Sequence, residues 1–342
     1  MKNSVDIYTI AEHAGVSKST VSRVLNNKDD VSETTREKVM EVIKNLNYKP
    51  NSSAKGLASQ RTKTVGLVVS EITNSFFSMF VKGAEDKAME ENYNIMLANS
   101  NWVVEEELKC IRIFEEGRVD GILKISGGGD ELLNDYLNSL ANKEMPLIVV
   151  DRKMDNKNIP KVNVDNIDGA YRGTRYLLEL GHKKIAFVKG DDIAASDASI
   201  DRVKGYRKAL AEFKIDTEVI EPGFFDREDA YTATEKIIKN HPDITAIFYA
   251  SDMMAVGGLK ALKKAELKVP EDISVLGFDD IELASIIDPA LSTLRQPRYQ
   301  MGYLGMEKLI DKLEGRPEEV YGEDVIFELE LIERESTGPV KA

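Results

Sequence analysis

The chain is short of cysteine, histidine and long apolar runs, and each shortage removes a class of function. Cys110 is the single cysteine in 342 residues. An internal disulfide and a cysteine-ligated zinc site are therefore excluded, and a reducing, cytoplasmic compartment is expected. The three histidines, His13, His182 and His241, are far apart in the chain. That spacing argues against histidine-based metal chemistry, so no metal and no cofactor is expected. No run of about 18 uncharged apolar residues occurs. The opening Met1-Lys2-Asn3-Ser4-Val5-Asp6 lacks the apolar stretch of a secretory signal, and no membrane partner is expected. Catalytic signatures are missing too: there is no G-x-S-x-G and no H-E-x-x-H. Ser126-Gly127-Gly128-Gly129-Asp130 comes after a strand pattern but has neither G-x-G-x-x-G spacing nor a phosphate-loop lysine, so it reads as a turn. No catalytic residue is assigned and an enzyme is not expected.

What is present suits a folded chain of two or three domains. Hydrophobic residues make up 42% of the chain and charged residues 31%, enough apolar sequence to build real cores. The net charge of −13 is unevenly spread. Residues 1–63 carry 11 Lys and Arg against 7 Asp and Glu, a net of +4, which leaves 35 against 52 on the other 279 residues. A small basic head on a large acidic body is the asymmetry of a nucleic-acid-binding headpiece on a sensing domain.

The first sixty residues spell out three short helices. Thr9-Ile10-Ala11-Glu12 has the form of a capping box, with Thr9 at the N-cap. Gly15 ends that helix where a left-handed conformation costs little. Ser17 caps a second helix, Lys18 to Leu25, with Val21, Val24 and Leu25 on one face and Lys18, Ser19, Ser22 and Arg23 on the other. Ser32 opens a third, with Val39, Val42, Ile43 and Leu46 as its buried stripe. Two short helices joined by a glycine turn and backed by a third make a helix-turn-helix, whose second helix enters a major groove. Arg23 can reach guanine O6 and N7 in a bidentate pair, and Lys18 and Ser19 sit at the end nearest the bases. The competing reading is a small bundle with a solvated polar face.

Pro50 closes the third helix and Asn51 can cap a further short one. Residues 51–58 are short for a stable helix, and Gly56 weakens one by roughly 1 kcal/mol relative to Ala. The segment reads as a coupling linker or as a plain flexible one with Leu57 packed on the core.

From Thr64 onward strand and helix patterns alternate, which means parallel sheets covered by helices. Strands are expected at Val65–Val69, Tyr93–Leu97, Gly121–Ile125, Leu147–Val150, Ile185–Val188, Val219–Glu221, Ala246–Tyr249 and Ile273–Phe278, with a helix from Phe80 to Glu91. About nine strands suit two Rossmann-like lobes. Ligands of such sheets bind beyond the carboxyl ends of the strands. There lie Asn74, Phe76, Phe77, Asp151, Arg152, Arg202, Phe225, Ser251, Asp279 and, in the last crossing, Gln296. Aromatic faces stack on the C–H faces of a sugar ring, while carboxylates and guanidinium forks pair with vicinal hydroxyls. The alternative is that these are ordinary loop polars and salt bridges, with Phe76 and Phe77 in the core. Paired acids such as Asp279-Asp280 read as solvated loop charges rather than catalytic dyads.

Tyr8-Thr-Ile-Ala-Glu-His-Ala-Gly-Val-Ser-Lys-Ser-Thr-Val-Ser-Arg-Val-Leu-Asn26 closely resembles the headpiece of the LacI/GalR family of bacterial transcriptional regulators. So do Asn47-Tyr48-Lys49-Pro50-Asn51 and Ala54-Lys55-Gly56-Leu57-Ala58, and the resemblance runs along essentially the whole chain. It implies an α/β protein: an all-α helix-turn-helix headpiece (1–50), a hinge (51–63), and a two-lobed periplasmic-binding-protein-like core (64–342) of two Rossmann-like parallel sheets. The lobes are expected to comprise 64–164 with 280–297, and 165–279 with 298–342. DNA contacts are implied for Thr9, Ser17, Lys18, Ser19, Thr20, Ser22, Arg23, Asn26, Tyr48, Asn51, Ala54 and Leu57, the last as a wedge in the minor groove. The effector set resembles that of monosaccharide-binding proteins, with Ser251 where that pattern often has Asn.

Implied partners are double-stranded operator DNA, a small sugar effector and a second copy of the chain. Leucine heptads are absent after the core, so a dimer is expected rather than a tetramer. A second possibility is a catabolite-control-type regulator with a phosphorylated phosphocarrier protein as co-effector. Gln296-Pro-Arg-Tyr-Gln-Met-Gly302 partly resembles that branch. Glu307, however, stands where that branch carries an arginine for the phosphoserine, and a carboxylate repels phosphate.

Overall fold

A computed structural model of the chain describes residues 6–25, 28, 30–48, 61–117, 119–125, 130–190 and 197–341. The chain divides into two compact units, Met1–Thr62 and Lys63–Ala342.

In the first unit, α1 (Ile7–Ala14), α2 (Lys18–Leu25) and α3 (Glu33–Asn45) enclose a small core of Ile10, Ala11, Ala14, Val21, Val24 and Val39. Val42, Ile43, Leu46 and Tyr48 pack against it half-buried. Gly15 turns the chain with φ 63°, a left-handed value that carries no Cβ penalty in glycine. Ser17 caps α2, its Oγ accepting from the Thr20 amide at 3.1 Å, and Ser32 caps α3 through the Thr35 amide. The cap of α1 corrects the expectation for Thr9. Asp6 is the N-cap, and its carboxylate accepts from both the Thr9 amide and the Thr9 hydroxyl at 2.9 Å. An ionised carboxylate opening a helix meets the positive end of its dipole, so α1 begins earlier and Thr9 lies in its first turn.

The second unit holds two six-stranded sheets. The first contains β1 (Thr64–Val69), β2 (Asn94–Asn99), β3 (Gly121–Ile125), β4 (Leu147–Val150), β5 (Lys161–Val164) and β11 (Val325–Phe327), in the order β2-β1-β3-β4-β5-β11. The second contains β6 (Ile185–Lys189), β7 (Val219–Pro222), β8 (Ala246–Tyr249), β9 (Ser274–Asp279), β10 (Ser292–Arg295) and β12 (Glu330–Ile332), in the order β7-β6-β8-β9-β10-β12. Pairing is parallel apart from β10 with β12. Both orders reverse beside their first strand, the topological switch point of doubly wound sheets. The central strands are buried along their length, as in Val65–Val69 and Leu147–Val150, which is what helices on both faces require.

The covering helices are α4 (Ser75–Glu90), α5 (Val104–Glu115) and α6 (Glu131–Asn142), then α7 (Asn166–Glu179), α8 (Asp197–Glu212), α9 (Arg227–Asn240) and α10 (Asp252–Lys264), and finally α11 (Arg298–Leu313) and the short α12 (Glu318–Tyr321). Helix α4 begins five residues before the expected start at Phe80. Asn74 caps it by accepting from the Phe76 amide at 3.0 Å, which places Phe76 and Phe77 in its first turn.

The chain crosses between lobes at Val164–Asn166, Arg295–Arg298 and Phe327–Glu330. This reverses the expected assignment of the last segments. Residues 292–295 form β10 beside β9 and belong to the second lobe. Helix α11 packs against α4 of the first lobe: added Cβ atoms at Gly83 and Gly302 would lie 2.1 and 2.0 Å from the facing backbone carbonyls of Tyr299 and Phe80. The chain then adds β11 to the first sheet and β12 to the second.

Candidate functional site

The headpiece presents its polar chemistry on α2. Lys18, Ser19 and Arg23 are exposed, while Thr20 and Ser22 are half-buried. The hydroxyls of Ser17, Ser19 and Thr20 form a chain, with Ser17 Oγ 2.7 Å from Ser19 Oγ and 2.8 Å from Thr20 Oγ1. Lys18 donates to the Tyr8 hydroxyl at 3.2 Å and lies 4.8 Å from the centre of that ring. Tyr8 is 61% exposed on α1, and the candidate set omitted it. Its signal was an aromatic residue on the outer face of an otherwise amphipathic helix. Arg23 pairs with Asp30 at 3.5 Å with both side chains more than half exposed. Such a pair contributes little and exchanges readily for a base edge or phosphate. Tyr48 is half-buried, one side packed against the helical core. Asn26, Asn51, Ala54 and Leu57 lie outside the described residues.

The core has one cleft where most of the expected effector residues meet. Asn74, Phe76, Phe77, Asp151, Arg202, Phe225, Ser251 and Asp279 line one narrow cleft together with Trp102 and Ala198. Each comes after the carboxyl end of a strand: Asn74 after β1, Trp102 after β2, Asp151 after β4, Arg202 after β6 by way of α8, Phe225 after β7 and Ser251 after β8, while Asp279 ends β9. The loops there are strained. Asp151, Trp102, Phe225 and Asp279 have φ of 53°, 61°, 58° and 121°. Non-glycine residues adopt such values only where the surroundings over-determine them, and they gather at ligand sites.

The polar side of the cleft is built around Arg202, which is 3% exposed. Its Nε donates to Asn166 Oδ1 at 2.8 Å and its Nη1 to the Ala250 carbonyl. The guanidinium lies 3.7 Å from the centre of the Phe278 ring and 3.9 Å from Asp279 Oδ1. Burial pushes the Asp279 carboxyl up to about 6, against the opposing pull of Arg202 and Arg298. Burial likewise pushes Asp151 up to about 6, again opposed by Arg202. Asp252, also buried, is pushed upward but accepts from the Thr293 hydroxyl at 2.6 Å and the Ile281 amide at 2.9 Å, so its role is to fix the β9–β10 region. Asp280 is no solvated loop charge: it holds Arg295 and Arg334, each at 2.7 Å.

Three expected residues behave otherwise than as direct contacts. Arg152 points away from the cleft, 2% exposed and bonded to Asn134. The strand ends at Val150 and the chain turns through the left-handed Asp151 (φ 53°), so Asp151 lines the cleft and Arg152 does not. Gln296 stands behind the wall and donates to Asp279 Oδ1 at 2.7 Å, while its own buried Oε1 has no hydrogen-bond partner. Ser251 uses its hydroxyl to cap α10, accepting from the Met254 amide at 3.3 Å. Phe76 and Phe77 are 7% and 1% exposed and serve core and cleft at once.

Two family descriptions match the chain. Residues 6–51 match the bacterial regulatory proteins of the lacI family, and residues 62–334 match the periplasmic binding proteins and sugar-binding domain of the LacI family. The chain is 37% identical over 338 residues to the HTH-type transcriptional regulator RegA of Clostridium saccharobutylicum, covering 98% of this chain and 99% of the other. It is 36% identical over 334 residues to the HTH-type transcriptional repressor PurR of Vibrio cholerae, covering 96% and 97%. Among solved structures, the lac repressor dimer bound to operator and the anti-inducer ONPF superposes with a TM-score of 0.86 at 27% identity, covering 98% and 99%.

Proposed function

The chain belongs to the LacI family of DNA-binding transcriptional regulators, and from that premise we propose that it is a repressor whose cleft takes a small monosaccharide-like effector. The reading places it in the cytoplasm, where a regulator meets its operator. A homodimer binds a palindromic operator, because one headpiece reads only a half-site. Lys18, Ser19 and Arg23 on α2 face the bases, and Ser17, Thr20 and Ser22 support that face. Thr9, Asn26, Tyr48 and Asn51 supply backbone contacts, and Ala54 and Leu57 enter the minor groove.

The observation that carries the effector reading is the composition of the cleft. Asp151, Arg202 and Asp279 stand against the rings of Phe76, Phe77 and Phe225. A sugar needs that combination of apolar wall and charged hydrogen-bonding groups. Glu307 supports this reading over a phosphorylated protein co-effector. It pairs with the nearly buried Lys87 at 3.1 Å, so the carboxylate is part of the α4–α11 packing and the lysine is occupied.

Closing the lobes on the effector alters the spacing of the two linkers in the dimer, and the linkers set how the headpieces seat. The coupling then needs only a differential affinity of about 1–3 kcal/mol between the two arrangements. The test has two arms. Operator fragments selected from random DNA should be two-fold symmetric, with binding that falls steeply with salt at roughly −0.9 per neutralised phosphate. Addition of the cognate sugar should raise the melting temperature and shift operator affinity. Selected sites without symmetry would remove the dimer reading, and a sugar panel without any thermal shift would remove the effector reading.

A further inference from the structure

The cleft contains one aromatic residue that the sugar-binding pattern does not assign. Trp102, the only tryptophan of the chain, stands on the loop after β2 in the first lobe. Its ring is nearly parallel to that of Phe225 in the second lobe, 9° apart with centroids separated by 6.3 Å, and meets Phe77 edge-on at 6.0 Å.

Both partners of this cross-lobe pair are held from behind. The Trp102 backbone has φ 61°, its amide donates to the Ser70 carbonyl at 3.2 Å, and its indole Nε1 donates to Glu71 Oε2 at 3.2 Å. Asn99 ties the same loop to the end of β1 by accepting from the Ile72 amide at 3.0 Å. Across the cleft, Phe225 has φ 58° and its ring packs closely against Gly190, where an added Cβ would be 2.1 Å from the ring.

Rings placed by strained backbone and a dedicated acceptor are held where tertiary structure over-determines them. With its N–H spent on Glu71, the indole offers the cleft only an apolar face. We propose that Trp102 is a specificity-determining residue of the effector site. It forms, with Phe225, a clamp that closes from opposite lobes on the C–H face of a saturated ring. The ligand class is therefore amphipathic: hydroxyls toward Asp151, Arg202 and Asp279, and an unbroken C–H face toward Trp102. A ring bearing a hydroxyl on that face leaves it buried against an indole with no donor or acceptor to offer, which is a strong ground for rejection. This inference rests on the sugar reading above and adds the residue that selects among sugars.

Because Trp102 is the sole tryptophan, indole emission of the full-length protein reports this position alone. D-ribose, D-glucose, D-galactose and cellobiose are titrated while thermal stability and emission are monitored in parallel. A sugar that stabilises the protein is expected to change the emission saturably with the same midpoint. Trp102→Ala should weaken its binding at least tenfold, Trp102→Tyr should hold within a few-fold, and Glu71→Leu, which releases the indole, should fall between them. Stabilisation with unchanged emission, or wild-type affinity in Trp102→Ala, overturns the clamp and leaves the sugar reading standing. If Trp102→Ala does not fold, the wild-type emission and Trp102→Tyr still decide. No stabilisation by any of the four sugars in the wild type removes the reading and the clamp with it.

Discussion

The headpiece and the core handle their polar groups in opposite ways. On α2 the groups facing outward are loosely paired: Arg23 with Asp30 and Lys18 with Tyr8, all exposed. These contacts are screened and cheap to exchange. In the core the corresponding groups are buried. Arg202 and Asp279 are 3% and 5% exposed; Arg202 is fixed by donating to Asn166 and the Ala250 carbonyl, and Asp279 by accepting from Gln296. A surface that meets a hydrated polyanion gains by leaving its cations mobile and solvated. A cleft that tells one small ligand from another gains by arranging its dipoles beforehand, and the desolvation of those charges weakens the ligand-free fold. Substitutions should therefore separate the two regions by the size of their effect on stability.

The largest effect is expected at Arg202. Arg202→Ala takes from the buried Asp279 the cation 3.9 Å from its carboxylate, leaving only the pull of Arg298, and leaves the Ala250 carbonyl without this donor. Removal of one partner from a buried pair costs about 3–5 kcal/mol. Urea denaturation should show a loss of that size, with the effector response abolished. A loss below about 1 kcal/mol, the level of a surface pair, would erase the contrast between the regions.

A smaller effect, confined to the cleft, is expected from Gly190→Ala. The added methyl would meet the Phe225 ring at 2.1 Å. Overpacking of this kind costs about 1–3 kcal/mol, and here the ring gives way into the space the ligand uses. Effector affinity should drop more than stability, with operator binding in the absence of effector retained. Equal losses in both would mean that the ring braces the lobe rather than the ligand.

How much of this was legible in the sequence depends on which interactions are local. The headpiece helices were readable because Ser17, Gly15 and Ser32 act within three or four residues of themselves. Only the start of α1 slipped, since Asp6 competes with Thr9 for the cap. Most of the cleft was readable because one rule, that ligands lie past the carboxyl ends of strands, needs only the strands to be found. Trp102 was missed because what turns it into the cleft, a left-handed backbone and an indole bond to Glu71, leaves no short-range pattern in the sequence. Arg152 was included because sequence adjacency to Asp151 does not reveal which of two neighbours turns inward. The lobe assignment of 280–327 failed for a deeper reason. Whether β10 joins β9 and α11 returns to α4 is decided by pairing partners far away in the chain, and no short-range pattern encodes that choice.

A third prediction sharpens the comparison by titration. Burial lifts Asp279 to about 6, so the folded state holds its proton more tightly than the unfolded chain does. By linkage, the ligand-free protein gains stability from this group as pH falls from about 7 through 6, until the unfolded chain also takes up its proton near 4. The contribution is of the order of 1–3 kcal/mol. His182, whose pKa burial lowers, pulls the other way over part of the range, so the measurement is a difference. The stability of the wild type minus that of Asp279→Asn should rise between pH 7 and pH 5. The thermal shift given by the effector should shrink over the same interval, because a protonated carboxyl is a poorer acceptor for sugar hydroxyls. A flat difference would mean that Asp279 titrates in its ordinary range and that the cleft stores no such penalty.

The smallest effect on stability, and the sharpest contrast with Arg202, belongs to Arg23. Its partner Asp30 is as exposed as itself, so Arg23→Ala removes a pair that solvent and salt already screen. Folding stability should change by less than about 0.5 kcal/mol. Operator binding should lose about 1–3 kcal/mol at one base position, with little change on random DNA, because a guanidinium bidentate to guanine distinguishes one base pair from the other three. A phosphate contact from the same residue predicts something different: a uniform loss on all sequences and a salt slope reduced by about 1. Anisotropy titrations on operator, on single-base variants and on random duplex at several salt concentrations separate the two. A uniform loss with the reduced slope would move Arg23 to the backbone and leave base reading to Lys18 and Ser19. Both outcomes presuppose that the arginine exchanges Asp30 for DNA at little cost, an exchange that Arg202, held by Asn166 and Ala250, has no freedom to make.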